Sequence, residues 1–221
     1  MCSSSEQVAG KLIASTDNSL WSEKSINYWL QFMNVIGLTV EGSRILDGRG
    51  ASSCTEVNGK KTNQIGPTIL LIGSLGEDNA LAAVKNITVS GVSFHDTQNG
   101  VRIKTWQGGN GFATDITFQN VKLDNVQNPV IIDQYYSPYG SPTKGDSNVK
   151  ISNVLYKNIT GTSASNAAIA FECSQSVPCE GIKVDHINLS YNDGKTNAQF
   201  LCRNAHVTAV DAGAVSPTPC L

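Results

Sequence analysis

Charge is scarce in this chain. Asp, Glu, Lys and Arg together make up 15% of its 221 residues, against about a quarter in an ordinary soluble domain. The signs nearly cancel, with a formal charge of -2 and a pI near 5.9, which excludes a general attraction to nucleic acid or to an anionic membrane surface. Any anionic partner must be met by a local cluster of cations. No stretch is long and apolar enough to span a bilayer. The six cysteines, Cys2, Cys54, Cys173, Cys179, Cys202 and Cys220, include no CxxC pair, which argues against a zinc site and for disulfides. None of the eleven aspartates adjoins another, and none of His95, His186 and His206 stands between glycines. The first residues, MCSSSEQVAGKLIAS, carry neither the basic segment nor the apolar one of a secretory leader. Either a leader has been removed or the reading frame is incomplete.

What is abundant points to strands. Gly and Asn each occur 20 times, a composition that suits short strands broken by tight turns better than helices. From Gln7 to Gly50 the text reads as short strands, VAGKLIA, NYWLQFMNV and GLTVEGSRILDGRG. Residues 51–64 are polar and read as a loop, and IGPTILLIGSLG from Ile65 to Gly76 reads as an apolar strand ended by glycine. Trp21 and Trp29 are most simply core or cap aromatics.

Then the chain repeats itself. Ile87-Thr-Val-Ser-Gly-Val-Ser-Phe94 resembles Ile116 to Leu123, Val149 to Tyr156 and Ile182 to Leu189, with a weaker copy from Leu38 to Ile45. Their fifth position is Gly42, Gly91, Asn120, Asn153 and His186. Gly and Asn tolerate the left-handed backbone of a sharp bend, so this column reads as a corner repeated once per coil, with His186 structural rather than catalytic. A second strand follows in most repeats, Gly100 to Lys104, Pro129 to Asp133 and Ala168 to Glu172, and its residues line up as Val101, Val130 and Ile169 in one column and Ile103, Ile132 and Phe171 in another. Stacking the coils at about 4.8 Å pairs their backbones and buries a continuous interior. The expectation is an all-β, right-handed parallel β-helix in one domain over residues 1–221, with N-terminal coils over 1–64 and C-terminal coils and cap over 65–221. A β-sandwich would explain the alternation but not the aligned corners.

The stretch Thr97 to Trp106, TQNGVRIKTW, is the candidate site. Arg102 and Lys104 lie two apart, so both project from one face of a strand while Val101 and Ile103 project from the other. His95 and Asp96 are adjacent and would point to opposite faces, which argues against an acid/base pair. Trp106 either flanks a ligand or packs on a loop. The C-terminal part reads as a stapled cap, Cys173 with Cys179 closing a short loop and Cys202 with Cys220 tying down the tail, each bridge adding roughly 2 to 4 kcal/mol. Cys2 and Cys54 are left without an assigned partner. Asn86, Asn158 and Asn188 each open an N-x-Ser/Thr glycosylation sequon, and with the even cysteine count they point to secretion.

IGSLGEDNALAAVKNITVSGVSFHDTQNGVRIKTWQGGNGF, with NVQNPVIIDQYY and ITGTSASNAAIAFECS, resembles the plant polygalacturonases of glycoside hydrolase family 28. The resemblance implies a parallel β-helix secreted to the cell wall, acting as a monomer on pectin or polygalacturonate, with no metal and no cofactor. It also implies that Arg102 and Lys104 bind substrate. An inverting glycosidase needs two carboxyl groups roughly 6.5 to 9.5 Å apart. The family supplies its acids from an Asn-Thr-Asp motif and an Asp-Asp pair, helped by a His in Gly-His-Gly, and none of the three is in this sequence. Before IGSLG, where the family reads a Gly-Pro-Gly-His-Gly turn, stands Gly66-Pro67-Thr68-Ile69-Leu70-Leu71. The polar loop thus reads as joined almost directly to the last coils, in a shortened solenoid. No residue is assigned a catalytic role. Three functional readings follow: a substrate-binding relative without hydrolysis, an inert pectin-binding or structural wall protein, and an incomplete form of an active enzyme. With no ligand at all, Arg102 and Lys104 would both be a solvated strand face, with Lys104 beside Asp133 and Glu172 in surface ion pairs worth little.

Overall fold

A computed structural model of the chain describes residues 36–40, 71–136, 145–192 and 197–220 in full, and elsewhere the backbone of short strands. Seven of these precede the main stack: β1 (Ser4–Gln7), β2 (Leu12–Ile13), β3 (Tyr28–Phe32), β4 (Leu38–Glu41), β5 (Ile45–Asp47), β6 (Thr55–Val57) and β7 (Lys60–Thr62). Then come β8 (Thr68–Leu75), β9 (Leu81–Ser90), β10 (Ser93–His95), β11 (Asn99–Trp106), β12 (Asn110–Val126), β13 (Asn128–Tyr136) and β14 (Asn148–Ser163). The last coils hold β15 (Ala167–Glu172), β16 (Cys179–Tyr191), β17 (Gln199–Arg203), β18 (Ala205–Ala209) and β19 (Val215–Ser216).

Every strand pairing is parallel except β6 with β7. One sheet stacks β3, β8, β11, β13, β15 and β17; the other is built on β1, β4, β9, β12, β14, β16 and β18. Each strand therefore pairs with the equivalent strand one coil away, which makes a parallel β-helix. The second-strand columns stand as the sequence places them: Val101 pairs with Val130 and Val130 with Ile169, and Ile103, Ile132 and Phe171 follow two residues on. These six side chains are at most 2% exposed. Down the interior runs an aromatic column, with Phe118 stacked on Tyr156 at 5.3 Å, Tyr156 on Phe171 at 5.3 Å, and Phe171 edge-on to Phe200 at 5.2 Å between ring centroids.

Two expectations need correction. The third repeat is five residues out of register: Ile116 pairs with Val154, and Val154 with Ile182. Asn158, not Asn153, stands beside Asn120 and His186. Val149-Lys-Ile-Ser-Asn-Val and Val154-Leu-Tyr-Lys-Asn-Ile carry the same alternation and the same Asn, so the pattern fits twice. Both asparagines are left-handed corners, Asn153 at φ 54° and Asn158 at φ 51°, because each coil turns twice here. Asn86, Asp115, Asn153 and Gly181 form the second corner column, all at positive φ. Side-chain bonds run along both columns, from Asn158 Nδ2 to Asn120 Oδ1 at 3.1 Å and from Asn153 Nδ2 to Asp115 Oδ1 at 3.1 Å. The weak copy at Leu38 does stack in register, Thr39 on Thr88 and Val40 on Val89.

The second correction concerns residues 51–64. They hold the antiparallel pair β6–β7 rather than plain loop, on either side of the Asn58-Gly59 dipeptide, a sequence that favours hairpins. At the other end, Cys173 is bridged to Cys179 with Cα atoms 5.7 Å apart, and Cys202 to Cys220 at 6.0 Å. The second bridge ties the tail to β17, and β19 adds itself to β16 through Ile187 and Val215. Cys2, Cys54 and Trp21 lie outside the described residues, as does the side chain of Trp29.

Candidate functional site

Strand β11 is built by alternation. Val101, Ile103 and Thr105 turn into the core, each fully buried, and the side chains between them turn out. The neighbouring coil comes close enough that a Cβ on Gly73 would overlap the carbonyl oxygen of Lys104, and Gly73 sits at φ 139°. Glycine there lets the two backbones pack directly behind the site.

On the outer face, Arg102 and Lys104 meet residues of β13. Arg102 Nη2 donates to Asp133 Oδ2 at 2.6 Å, with side chains 13% and 19% exposed. Lys104 pairs in register with Asp133, yet its Nζ lies 3.8 Å from the centroid of the Tyr136 ring, while Arg102 Cζ stands 5.7 Å from that ring. Trp106 closes the group edge-on to Tyr136, at 5.8 Å and 74°. Lys104 is therefore not on a solvated face: it is 3% exposed, and the ion pair expected of it belongs to Arg102. The aromatic walls explain the difference, since they cover the lysine stem and leave its head on a ring face.

This burial pushes the Lys104 ammonium down to about 8, with Arg102 lowering it further and Asp133 and Glu77 opposing. Arg102 Nε and Trp106 Nε1 are buried donors without a hydrogen-bond partner. The site thus holds two cations and two further buried donors, and the neighbouring carboxylate of Asp133 is engaged by Arg102. Such a donor-rich, ring-walled group suits an anion with several acceptor oxygens, such as a carboxylate. Among the described residues no three His, Cys, Asp or Glu side chains are grouped to hold a metal.

Elsewhere, His95 and Asp96 do not point apart. Asp96 has φ 50°, which breaks the strand alternation and brings its Oδ2 to 3.0 Å from His95 Nε2. His95 Nδ1 meets Asp124 Oδ2 at 2.7 Å, on an exposed edge away from Lys104. His186 is a corner at φ 54°, with its Nδ1 2.6 Å from Asp185 Oδ1. Asn86, Asn158 and Asn188 are all exposed. Tyr136 is what sequence reasoning missed. A register shift between Lys104 and Trp106 pairs Trp106 with Tyr136, whereas strict alternation would send Tyr135 to that place. The one signal was the aromatic pair Tyr135-Tyr136, separated from Asp133 by Gln134 alone.

Comparisons with known proteins show what the chain is similar to. The family model of Glycosyl hydrolases family 28 matches residues 66–212. A polygalacturonase of Persea americana is 54% identical over 125 residues, 56% of this chain and 27% of that protein. An exopolygalacturonase of Platanus acerifolia is 46% identical over 139 residues, 62% of this chain and 37% of that protein. A polygalacturonase of Prunus persica is 39% identical over 194 residues, covering 84% of this chain and 48% of that protein. The chain thus spans between about a quarter and a half of the length of these relatives.

Proposed function

Since the chain belongs to glycosyl hydrolases family 28, we propose that it binds the galacturonan backbone of pectin, holding a galacturonate carboxylate between Arg102 and Lys104. The observation that carries this reading is the group formed by Arg102, Lys104, Trp106, Asp133 and Tyr136. Arg102, oriented by Asp133, presents a fork of donors; Lys104, held on the Tyr136 ring, presents a point charge that a ligand carboxylate would stabilise.

Hydrolysis of a glycosidic bond needs a proton donor to the leaving oxygen and a base for water on the opposite face. This sequence has no Asp-Asp pair, no Asn-Thr-Asp and no Gly-His-Gly, and Asp133 is engaged by Arg102. The proposed role of this chain is therefore capture of the polymer without cleavage. Polygalacturonate should bind in calorimetric or fluorescence titration while release of reducing ends stays at the blank. Cleavage abolished by Arg102→Ala would overturn the non-hydrolytic part, and absence of binding would overturn the whole. The two disulfides and the exposed sequons at Asn86, Asn158 and Asn188 support secretion to the cell wall.

A further inference from the structure

The outer face of the site sheet does not end at Lys104. By strand register Lys104 aligns with Asp133, Asp133 with Glu172 and Glu172 with Arg203. Three strand spacings of about 4.8 Å put the first and last of these roughly 14 Å apart along the solenoid axis. Beside this charged row runs a second one, in which Arg102 is followed by Ile131, Ala170 and Leu201. Leu201 is 42% exposed.

The consecutive tyrosines of β13 make the two ends of the charged row alike. Tyr136 turns toward β11 and carries Lys104 on its ring. Tyr135 turns the other way and carries Arg203, whose Cζ lies 4.1 Å from the ring centroid. The bulge that splays the two rings is pinned at both ends. Gln107 Nε2 donates to the Tyr135 carbonyl at 3.0 Å, and Asn204 Nδ2 donates both to Tyr135 Oη at 3.4 Å and to the Cys173 carbonyl at 3.1 Å. Arg203 is exposed, and among the described residues no carboxylate neutralises it. A guanidinium held over a ring face keeps N–H donors free to take a carboxylate.

We propose that Arg203 on Tyr135 is a second carboxylate station for the same acidic polysaccharide, reached by a chain that crosses the sheet from Lys104 along the apolar row of Ile131, Ala170 and Leu201. The inference rests on the galacturonan reading of the Arg102 and Lys104 site and extends it toward the C-terminal coils. Sugar rings have apolar C–H faces that suit the aliphatic row, while acids and hydroxyls project toward the charged one. Glu172, between the stations, is an acceptor for sugar hydroxyls and disfavours an ionised unit directly above it. Two stations on one polymer act through effective concentration, so short acids gain nothing from the second and longer oligomers do.

The test is the length dependence of binding, measured by titration with galacturonic acid oligomers from two units upward. The wild-type chain should bind more tightly as the oligomer lengthens enough to reach Arg203. Arg203→Ala should leave the shortest binding oligomer unaffected and weaken the longer ones by roughly fivefold, the effect of one partly exposed cation acting through a linked site. Arg203→Lys, which keeps the charge and loses the fork, should fall between. Because Arg203 is exposed, the variant should melt with the wild type, and a matched melting curve separates binding from folding. An Arg203→Ala chain with the full wild-type length dependence overturns the second station, and if Arg102→Ala abolishes binding in the same series, the first site stands without it. Absence of binding by the wild type to every oligomer overturns both.

Discussion

The two faces of strands β11, β13, β15 and β17 obey different rules. Inward, each coil repeats the last: Val101, Val130 and Ile169, then Ile103, Ile132 and Phe171. Outward, the same strands carry Arg102, Ile131, Ala170 and Leu201 in one row and Lys104, Asp133, Glu172 and Arg203 in the other. An interior position must fill the space between two similar neighbours, so its chemistry is copied from coil to coil. An outward position answers to solvent or ligand, and nothing obliges one coil to match the next. Stability should therefore be concentrated on the inner face and binding on the outer.

The sharpest way to break that division is at Phe171, which is fully buried and joins Tyr156 to Phe200 in the aromatic column. Phe171→Ala should cost about 3 to 5 kcal/mol in equilibrium unfolding, through lost burial and the cavity left behind. Affinity for polygalacturonate, measured where the variant remains folded, should change less than about twofold, because Phe171 points into the core while the residues proposed to bind project from the opposite face of the sheet. A large loss of affinity with little loss of stability would show that the two faces are coupled.

Next in size is Lys104, where the division costs the protein something. Its ammonium titrates at about 8 in the folded chain against 10.5 for the free side chain. The folded state holds this proton less tightly than the unfolded state. The charge therefore penalises folding below pH 8, and the penalty fades as pH rises from 8 toward 10.5. Lys104→Met, which keeps the stem and drops the charge, should stabilise the chain by about 2 kcal/mol at pH 7 while weakening polygalacturonate binding at least about tenfold. Wild-type binding should run opposite to wild-type stability, constant at neutral pH and falling above pH 8 as the lysine loses its proton. Binding that survives to pH 10 would mean that Lys104 does not hold the ligand.

This contrast also explains what the sequence made legible. The solenoid was readable because burial writes the same apolar columns into every coil. Even so, the alternation around Asn153 and Asn158 is so alike that the pattern fits the corner at either asparagine, five residues apart; periodicity reveals that a strand repeats, and register needs the neighbouring coil. At the site, Arg102 and Lys104 were readable as cations on one face. Which of them pairs with Asp133 was not, because the register shift after Lys104 turns Tyr136 rather than Tyr135 beneath the lysine. The contact of His95 with Asp96 was hidden for a related reason: a positive φ at Asp96 suspends the strand rule for one residue.

Tyr156 provides the finest test, since it is the interior column's own exception. Its ring belongs to the stack between Phe118 and Phe171, and its residue is 1% exposed. Its hydroxyl has no hydrogen-bond partner, and burial pushes the phenol well above its ordinary range, so it stays neutral at any working pH. The aligned positions in the neighbouring coils are Phe118 and Val184, neither of which has a polar atom. If interior chemistry is governed by neighbours alone, the oxygen is a desolvated group with no return. Tyr156→Phe should then raise unfolding stability by about 1 kcal/mol, with oligogalacturonate affinity unchanged. A loss of stability would reveal a partner for the hydroxyl, and with it a polar contact inside the column that the repeat does not encode.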